Sequence, residues 1–373
     1  MDEKKNSIFT IGIVAAILLA FAVADCFHGD RVFSETENRL LAKKPEFARE
    51  AFLRGDFGKA YENYLTDQFV SRDKWVNIKT RTDIFFRKKD INEVYLGKDD
   101  YLIERHLPEN YSGELEDEKI ALLGKLTDEW GARVMLVPTA DNILQEKLPA
   151  YADYYDESRF LEKVRERVGE RSYIDVYAML EAHNEEEIYY RTDRHWTSLG
   201  AYYGYLVWTR ETLSFLYPYN PQNMTTVSDD FRGDLISRIP GLEGSDTIQI
   251  FPETKERPVS ITYDFKKTAD SFYEESYLTG ENPYGYFLDD THGVLEIHTD
   301  YQTDRTLFLI KDSCANCMIP FLQPHYSSIY VVDLQYYSGS LSRLMESCKP
   351  EKGMDVLVLY DCIHFLEDFQ YLE

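Results

Sequence analysis

The chain has 373 residues, and its 41 lysines and arginines against 66 aspartates and glutamates give a formal net charge of −25. A protein that binds nucleic acid by counterion release needs a basic face, so this composition argues against nucleic-acid binding. Hydrophobic residues at 44% and charged residues at 29% exclude a wholly disordered chain. We expect a folded protein with one large domain or two small ones.

The N-terminus carries an uncharged segment, residues 8–24, preceded by Lys4 and Lys5. Its length is at the short end of what crosses a hydrocarbon layer of about 30 Å, and it also suits the apolar part of a secretory signal. The lysines predict a cytoplasmic tail of residues 1–6, a signal anchor over 7–25 and export of the rest.

Two locations follow from this segment. An uncleaved anchor gives a single-pass membrane protein whose C-terminal domain is extracellular. Cleavage after the acceptable site Ala22-Val-Ala24 gives a secreted protein. An exported domain with few thiols is not expected to depend on disulfides, and the chain has five cysteines: Cys26, Cys314, Cys317, Cys348 and Cys362.

Residues 26–90 are predicted to form a stalk and N-terminal helices. The polar stretch 33–45 ends in a proline and is typical of extended chain. Residues 47–66 and 72–88 have apolar residues at helical spacing, which predicts two amphipathic helices. Two apolar runs around a Gly-Lys-Asp-Asp turn then indicate a hairpin from Glu93 onward.

Residues 91–373 are predicted to form an α/β domain. Helical patterns alternate with short apolar runs, which predicts a mainly parallel sheet buried on both faces in a three-layer sandwich. Between about residues 218 and 303 the apolar runs are shorter, and Pro, Gly and Asp are frequent. This pattern favours a β-rich insertion or lobe. The predicted helices are 114–130, 156–169 and 198–216, and the predicted strands are 133–138, 173–177, 306–310, 328–333 and 355–360.

One motif with chemical potential, Thr192-Asp193-Arg194-His195-Trp196-Thr197, precedes the helix predicted from Ser198. An aspartate two residues before a histidine can accept a hydrogen bond from the imidazole Nδ1–H and support a general base. The plain alternative is that Asp193 or Thr197 caps the helix and His195 is a partly buried polar residue. Trp196 is predicted to pack against His195 or to form a wall of the site.

A second motif follows the predicted strand 306–310 and reads Lys311-Asp312-Ser313-Cys314-Ala315-Asn316. A serine at such a strand-to-helix turn lies at the carboxyl edge of the sheet, with its hydroxyl exposed and helix-start N–H groups nearby. The plain alternative is that Asp312 or Ser313 is a helix cap.

At these two motifs the sequence resembles the DHHW proteins, relatives of the SGNH-like alginate O-acetylation proteins, which share an Asp-x-His-Trp motif ahead of a Lys/Gly-Asp-Ser motif. The resemblance extends over most of the chain after the anchor. It is carried by segments 33–39, 67–75, 94–98, 137–139, 192–197, 311–316, 320–322 and 332–337.

The resemblance implies an SGNH-like fold and places the family's catalytic residues on Asp193, His195 and Ser313. It also implies O-acetyl transfer to an envelope or exopolysaccharide through an acyl-serine, with the acyl group supplied by a membrane-bound O-acyltransferase partner. Aspartate and histidine precede the serine here, in contrast to ordinary SGNH hydrolases, and Lys311 replaces the glycine before Asp-Ser. Asn142, after a predicted strand, is a candidate oxyanion donor or a plain turn residue.

Two other functions remain open from the sequence: a carbohydrate esterase or deacetylase with the same triad, and a non-catalytic carbohydrate-binding scaffold subunit. No cofactor is predicted. The histidines are scattered, which argues against a metal site. Cys314 and Cys317 lack the surroundings of a redox pair. The charge of −25 favours a neutral or zwitterionic glycan as acceptor.

Overall fold

The computed structural model describes residues 2–34, 39–111, 113–213, 215–280, 282–350 and 353–370. The chain forms two compact units: Met1–Lys88 with Ser237–Leu242, and Lys89–Ile236 with Glu243–Glu373. Residues 35–38, in the middle of the first segment that carries the family resemblance, lie outside the described part of the chain.

The helices and strands are numbered in chain order. The helices are α1 Asp2–Phe27, α2 Arg49–Arg54, α3 Asp56–Gln68, α4 Arg72–Phe85, α5 Gly113–Trp130, α6 Ala140–Ile143, α7 Glu157–Val168, α8 Tyr177–Ala182, α9 Ser198–Thr212, α10 Asp234–Ser237, α11 Ile319–Leu322, α12 Leu341–Cys348 and α13 Cys362–Asp368. The strands are β1 Phe33–Ser34, β2 Arg39–Leu40, β3 Asp90–Ile91, β4 Val94–Leu96, β5 Leu102–Glu104, β6 Arg133–Val137, β7 Thr225–Phe231, β8 Asp246–Ile250, β9 Val259–Tyr263, β10 Lys267–Ala269, β11 Val294–Thr299, β12 Thr306–Lys311, β13 Ser328–Asp333 and β14 Met354–Asp361.

The smaller unit holds α1, whose stretch Asn6–Asp25 has a mean hydropathy of 2.6 and is long and apolar enough to cross a membrane. A signal sequence has the same properties. The two predicted amphipathic helices are present as α2 with α3 and as α4. The first is divided because Gly55 adopts a left-handed backbone with φ of 87° at the end of α2.

A sheet of seven strands, in the order β10-β9-β11-β13-β12-β14-β6, is the centre of the larger unit. The four strands β13, β12, β14 and β6 are parallel to one another. Alternate residues of β12 enter two different cores: Leu307 and Leu309 pack on one face, and Phe308 and Ile310 on the other. Both faces are therefore covered, and the predicted α/β fold with a mainly parallel sheet is confirmed.

The strand predicted at 173–177 is wrong. Val134 of β6 donates its N–H to Ser172 and accepts from Ile174, at 2.7 and 2.8 Å, so pairing lasts for one residue. The chain then turns into α8, which begins at Tyr177. A short apolar run beside a sheet edge fits a strand or a single bridge equally well, because burial alone sets its composition.

Three strands from the region 218–303 continue the central sheet. Strand β11 pairs antiparallel with β13, β9 pairs antiparallel with β11, and β10 with β9. Strands β7 and β8 pair with each other in a separate two-stranded sheet. The region is β-rich as predicted, and part of it widens the sheet rather than forming a lobe.

The parallel strands place their carboxyl ends along one edge of the sheet. Polar loops follow three of them: 138–144 after β6, 312–317 after β12 and 361–364 after β14. In open α/β sheets this edge is where ligands bind. The loop 189–197, which leads into α9, meets the loop after β12, and the candidate site lies there.

Candidate active site

The structure brings together the three residues predicted to react. The Nε2 atom of His195 lies 2.9 Å from Oγ of Ser313, and the Nδ1 atom lies 2.6 Å from Oδ1 of Asp193. Ser313 is the first residue of a short 3₁₀ helix after β12 and is partly exposed, whereas His195 and Asp193 are buried. This is the contact order of a nucleophile, a general base and an orienting carboxylate.

Asp193 is fixed by more than His195. Its Oδ1 also accepts the backbone N–H of His195 at 2.9 Å, and its Oδ2 accepts the backbone N–H of Asp234 at 3.1 Å. A Cβ added to Gly233 would lie 2.3 Å from Cβ of Asp193, so a glycine is required for this close approach. Burial opposes charge on Asp193, but His195 and these N–H donors hold its pKa well below the usual range.

Trp196 connects the two loops of the site. Its indole N–H donates to the backbone carbonyl of Cys314 at 2.7 Å, and its side chain is 0% exposed. A fully enclosed ring has no surface for a substrate, so this environment does not fit the expected role of Trp196 as a wall of the site. We assign Trp196 to positioning the loop of His195 against the loop of Ser313.

Tyr284 is also part of the site. Its ring stacks on the imidazole of His195 with a centroid distance of 3.8 Å and an interplanar angle of 9°. Its hydroxyl donates to the backbone carbonyl of Ser313 at 3.3 Å. Tyr284 lies 89 positions after His195 in the sequence, in a region without a motif, so no sequence signal marked it.

Arg194, between the predicted base and its carboxylate, also reaches the nucleophile. Its Nη2 atom lies 3.4 Å from Oγ of Ser313, and its Nη1 atom donates to Nε2 of His364. His364 belongs to α13, directly after β14. Arg194 is part of the motif at residues 192–197, but the motif predicts no role for it.

Two buried carboxylates, Asp312 and Asp361, lie near His364. Asp361 caps α13 by accepting the N–H groups of Ile363 and His364, at 2.8 and 3.0 Å. Asp312 accepts the N–H groups of Cys314 and Asp361, at 3.0 and 3.1 Å. The loops after β12 and β14 are thus joined by hydrogen bonds between backbone and carboxylate.

The charges in this group differ. Burial, helped by the charge of Asp361, raises the pKa of Asp312 to about 6, although His364 opposes the shift. Burial also opposes charge on Asp361, but His364 lowers its pKa to about 2. The hydrogen bond from Arg194 to Nε2 requires a neutral His364 whose proton lies on Nδ1, the ring nitrogen that faces Asp361. Asp361 therefore carries the negative charge next to His364.

Proximity alone would allow a metal at Asp312, Asp361 and His364, whose ligand atoms lie within 4.8 Å of one another. The protein already uses these atoms. The two carboxylates accept the backbone N–H groups described above, and Nδ1 of His364, the ring nitrogen that faces them, lies 3.3 Å from Oδ1 of Asp361. We assign the group to holding the loops and Arg194.

Lys311, which stands where the related motif has glycine, is buried in an ion pair. Its Nζ lies 3.1 Å from Oδ2 of Asp333 at the end of the neighbouring strand β13. Cys314 and Cys317 are buried free thiols. Burial raises the pKa of Cys314 well above its usual range and that of Cys317 to about 12, so neither is a ready thiolate nucleophile.

Asn142 is buried in the loop after β6, where its side chain is fully engaged. Its amide donates to Asp141 and to the carbonyl of Tyr155, at 2.9 and 3.0 Å, and its oxygen accepts the N–H of Glu157 at 3.1 Å. These bonds fix the start of α7. Its role as an oxyanion donor stays a prediction, and both of its donor hydrogens have partners within the protein.

The neighbouring Thr139 shows that one buried acid is protonated. Its hydroxyl oxygen lies 2.5 Å from a carboxyl oxygen of Asp141 and 2.5 Å from one of Glu157. A hydroxyl has one hydrogen, so one of these contacts needs a protonated acid as the donor. Glu157 is that acid, because burial and the charge of Asp141 raise its pKa well above the usual range.

We therefore expect Glu157→Gln to change the free energy of unfolding by less than about 1 kcal/mol at about pH 4, where the unfolded carboxyl is also largely protonated and the neutral amide can replace both hydrogen bonds. Glu157→Ala should cost about 2–4 kcal/mol. The folded-state pKa is raised, so the contribution of Glu157 is fully present below the unfolded pKa and is lost as the pH rises. Urea unfolding from about pH 5 upward should show wild type losing stability faster than Glu157→Gln; parallel curves would contradict this assignment.

The comparisons with known proteins agree with this picture. Residues 131–237 match the family model described as DHHW protein. A DHHW family protein from Eubacterium siraeum DSM 15702 aligns with a TM-score of 0.59 and 23% identity, over 74% of this chain and 93% of that chain. PatB1 of Bacillus cereus aligns with a TM-score of 0.59 and 16% identity, over 72% and 95%. No curated protein matches.

A structure of the same Bacillus cereus protein with a sulfonyl adduct aligns with a TM-score of 0.58 and 17% identity, over 74% of this chain and 100% of that chain. At these identities the alignments show a shared fold. Together with the family-model match they confirm the predicted resemblance: residues 131–237, which hold Asp193 and His195, match the DHHW family model, and the chain shares the α/β fold of these structures.

Proposed function

We propose that this chain is an exported, membrane-tethered O-acyltransferase that passes an acyl group, acetyl in the first instance, to a hydroxyl of an envelope or exopolysaccharide. The observation that carries the proposal is the continuous contact from Ser313 through His195 to Asp193. Ser313 is partly exposed, and its hydroxyl lies within hydrogen-bond distance of Nε2 of His195. This is the geometry for covalent acyl transfer. The choice of acetyl as the acyl group and of a polysaccharide as the acceptor rests on the resemblance to the alginate O-acetylation proteins.

In the first half of the proposed reaction, Oγ of Ser313 attacks the carbonyl carbon of the acyl donor while Nε2 of His195 takes the hydroxyl proton. The bond from that carbon to the leaving group then breaks, and His195 returns the proton to the leaving group. The product is an ester on Ser313. Asp193 keeps Nδ1 of His195 protonated and stabilises the imidazolium between the two steps.

In the second half, the acceptor hydroxyl attacks the carbonyl carbon of the acyl-serine and passes its proton to Nε2 of His195. The ester bond to Oγ breaks, Oγ recovers the proton, and the acceptor leaves with the acyl group. Water in place of the sugar hydroxyl would give an esterase with the same residues. The two activities differ only in which acceptor attacks faster.

The N-terminal helix and the net charge support the rest of the proposal. The stretch Asn6–Asp25 can serve as the tether, which would keep the domain near a membrane-bound O-acyltransferase as the source of acyl groups. A net charge of −25 would repel a strongly anionic polymer, so a neutral or zwitterionic glycan is the proposed acceptor.

A transfer assay on the full chain in detergent tests the proposal. The donor is para-nitrophenyl acetate and the acceptor is a neutral oligosaccharide. We expect acetylated oligosaccharide by mass spectrometry, and less free acetate than hydrolysis alone would release. Ser260→Ala, at an exposed position of β9, is the matched control and should behave as wild type. Release of acetate with every acceptor offered would favour the esterase, and no acyl transfer or hydrolysis would favour the scaffold.

A further inference from the structure

The site has a cation at the position where negative charge would develop. The guanidinium of Arg194 reaches the nucleophile directly, with Nη2 3.4 Å from Oγ of Ser313. When Oγ attacks, it bonds to the carbonyl carbon of the acyl donor. The oxyanion is the former carbonyl oxygen on that same carbon. A donor 3.4 Å from Oγ is therefore in a position to approach that oxygen, and oxyanion donors act at about 2.7–3.1 Å.

Three donors near Ser313 or in the neighbouring loop are already in use. The N–H of Cys314 donates to the side chain of Asp312 at 3.0 Å, and the N–H of Ala315 donates to the backbone carbonyl of Asp312 at 3.3 Å. Both amide hydrogens of Asn142 are bonded within the loop after β6. The guanidinium is thus the charged donor that the described residues place at Ser313.

The guanidinium is held in place by its other nitrogen. Nη1 of Arg194 donates to Nε2 of His364, and Nδ1 of His364 lies 3.3 Å from Oδ1 of Asp361. Asp361 in turn caps α13. A cation that is fixed before the reaction needs no reorganisation when the charge appears, and this is what makes such donors effective.

We propose that Arg194 is a catalytic residue that donates to the oxyanion formed when Ser313 attacks the acyl donor, and that His364 is its positioning residue. The inference rests on the proposed function, since it assigns a role within the same acyl transfer. Arg194 keeps its proton throughout. It binds the negative oxygen while the carbon is tetrahedral, and that oxygen becomes a carbonyl again when the leaving group departs.

Substitutions at Arg194 should slow the acylation step. Removal of one oxyanion donor costs about 10²–10³-fold in kcat, so we expect a loss of this size in Arg194→Gln, with KM little changed. Arg194→Lys keeps the charge but cannot hold His364 and Ser313 at once with two nitrogens, so an intermediate rate is expected. Arg210→Gln, at an exposed position of α9, is the matched control.

Stopped-flow release of para-nitrophenol from para-nitrophenyl acetate by the full chain measures this step. Arg194→Ala should recover part of its rate when guanidinium ions are added, and a merely structural role would show no such rescue. Near-UV circular dichroism checks that each variant is folded. Wild-type acylation by Arg194→Gln, or a folded Arg194→Ala without rescue, would overturn the role of Arg194 and leave the triad intact. Absence of acylation in wild type would overturn the proposed function itself.

His364 needs a separate pair of variants. The side-chain oxygen of Gln can accept the hydrogen bond from Arg194, whereas Leu cannot. We expect His364→Leu to lower kcat of acylation with little change in KM, and His364→Gln to recover most of it. Equal rates in the two variants would overturn the positioning role of His364.

Discussion

Ser313→Ala should remove acyl transfer altogether. Without Oγ there is no atom to form the ester, so the covalent route is closed, and only about 10³–10⁴-fold acceleration over water can remain from binding and oxyanion stabilisation. We expect the release of para-nitrophenol from para-nitrophenyl acetate to fall by about 10⁴-fold or more. In cells, the O-acetyl content of the surface polysaccharide should fall to that of a strain lacking the gene.

The folded state should not change in this variant. Ser313 is partly exposed, so loss of one hydroxyl should shift the free energy of unfolding by less than about 0.5 kcal/mol. The protein level and membrane location of Ser313→Ala therefore serve as internal controls, together with Ser260→Ala. Normal polymer acetylation by a stably expressed Ser313→Ala would contradict the acyl-serine route.

Asp193→Asn should have the second largest effect, a loss of about 10⁴-fold in kcat. The carboxylate accepts Nδ1–H of His195 at 2.6 Å, so its charge fixes the tautomer that leaves Nε2 free to take the serine proton. An amide at this position can donate its own hydrogen to Nδ1, which selects the wrong tautomer. The measurement is kcat of ester turnover, with Asp230→Asn at an exposed position as the control.

A double variant sharpens this test. Residues that act as one unit lose activity non-additively, so Asp193→Asn combined with Ser313→Ala should be no slower than Ser313→Ala alone. If the two losses multiplied, Asp193 would act outside the triad. If Asp193→Asn retained the wild-type kcat, the hydrogen bond to His195 would have no part in catalysis.

The sheet could be predicted because its strands are buried on both faces. Strands β6, β12, β13 and β14 appear in the sequence as continuous apolar runs, which only a covered parallel sheet explains well. The antiparallel strands β9 and β11 also appear as short apolar runs. Their sheet partners could not be predicted, since pairing with β13 depends on the path of the chain and not on local composition.

The contact of Ser313 with His195 and of His195 with Asp193 could be predicted because these residues lie in short motifs at element boundaries, and a family resemblance joined the two motifs. The remaining contacts come from residues far apart in the sequence: Arg194 with His364, and His195 with Tyr284. Nothing in a single sequence pairs residues at such separations. Asp361 and His364 could have been marked, because they follow a predicted strand just as Asp312 and Ser313 do.

Lys311 is a residue that the sequence identified but could not explain. The sequence identified it as a departure from the related motif, where glycine precedes Asp-Ser. Separately, spacing in the sequence identified no clear glycine and asparagine as oxyanion donors. The structure explains the lysine itself by its buried ion pair with Asp333. We propose that Arg194 is the oxyanion donor instead. Its side chain contacts Ser313, which lies 119 positions later in the sequence, so sequence spacing could not predict this contact.

The most direct test of the account is the mass of the active-site peptide after reaction with an acyl donor. Wild type, quenched in acid and digested, should carry one acetyl group on Ser313, and His195→Ala should carry none. A sulfonyl fluoride should label the same hydroxyl. An acetyl group on another residue, or equal labelling of Ser313 in wild type and His195→Ala, would contradict an ester formed by a serine that His195 activates.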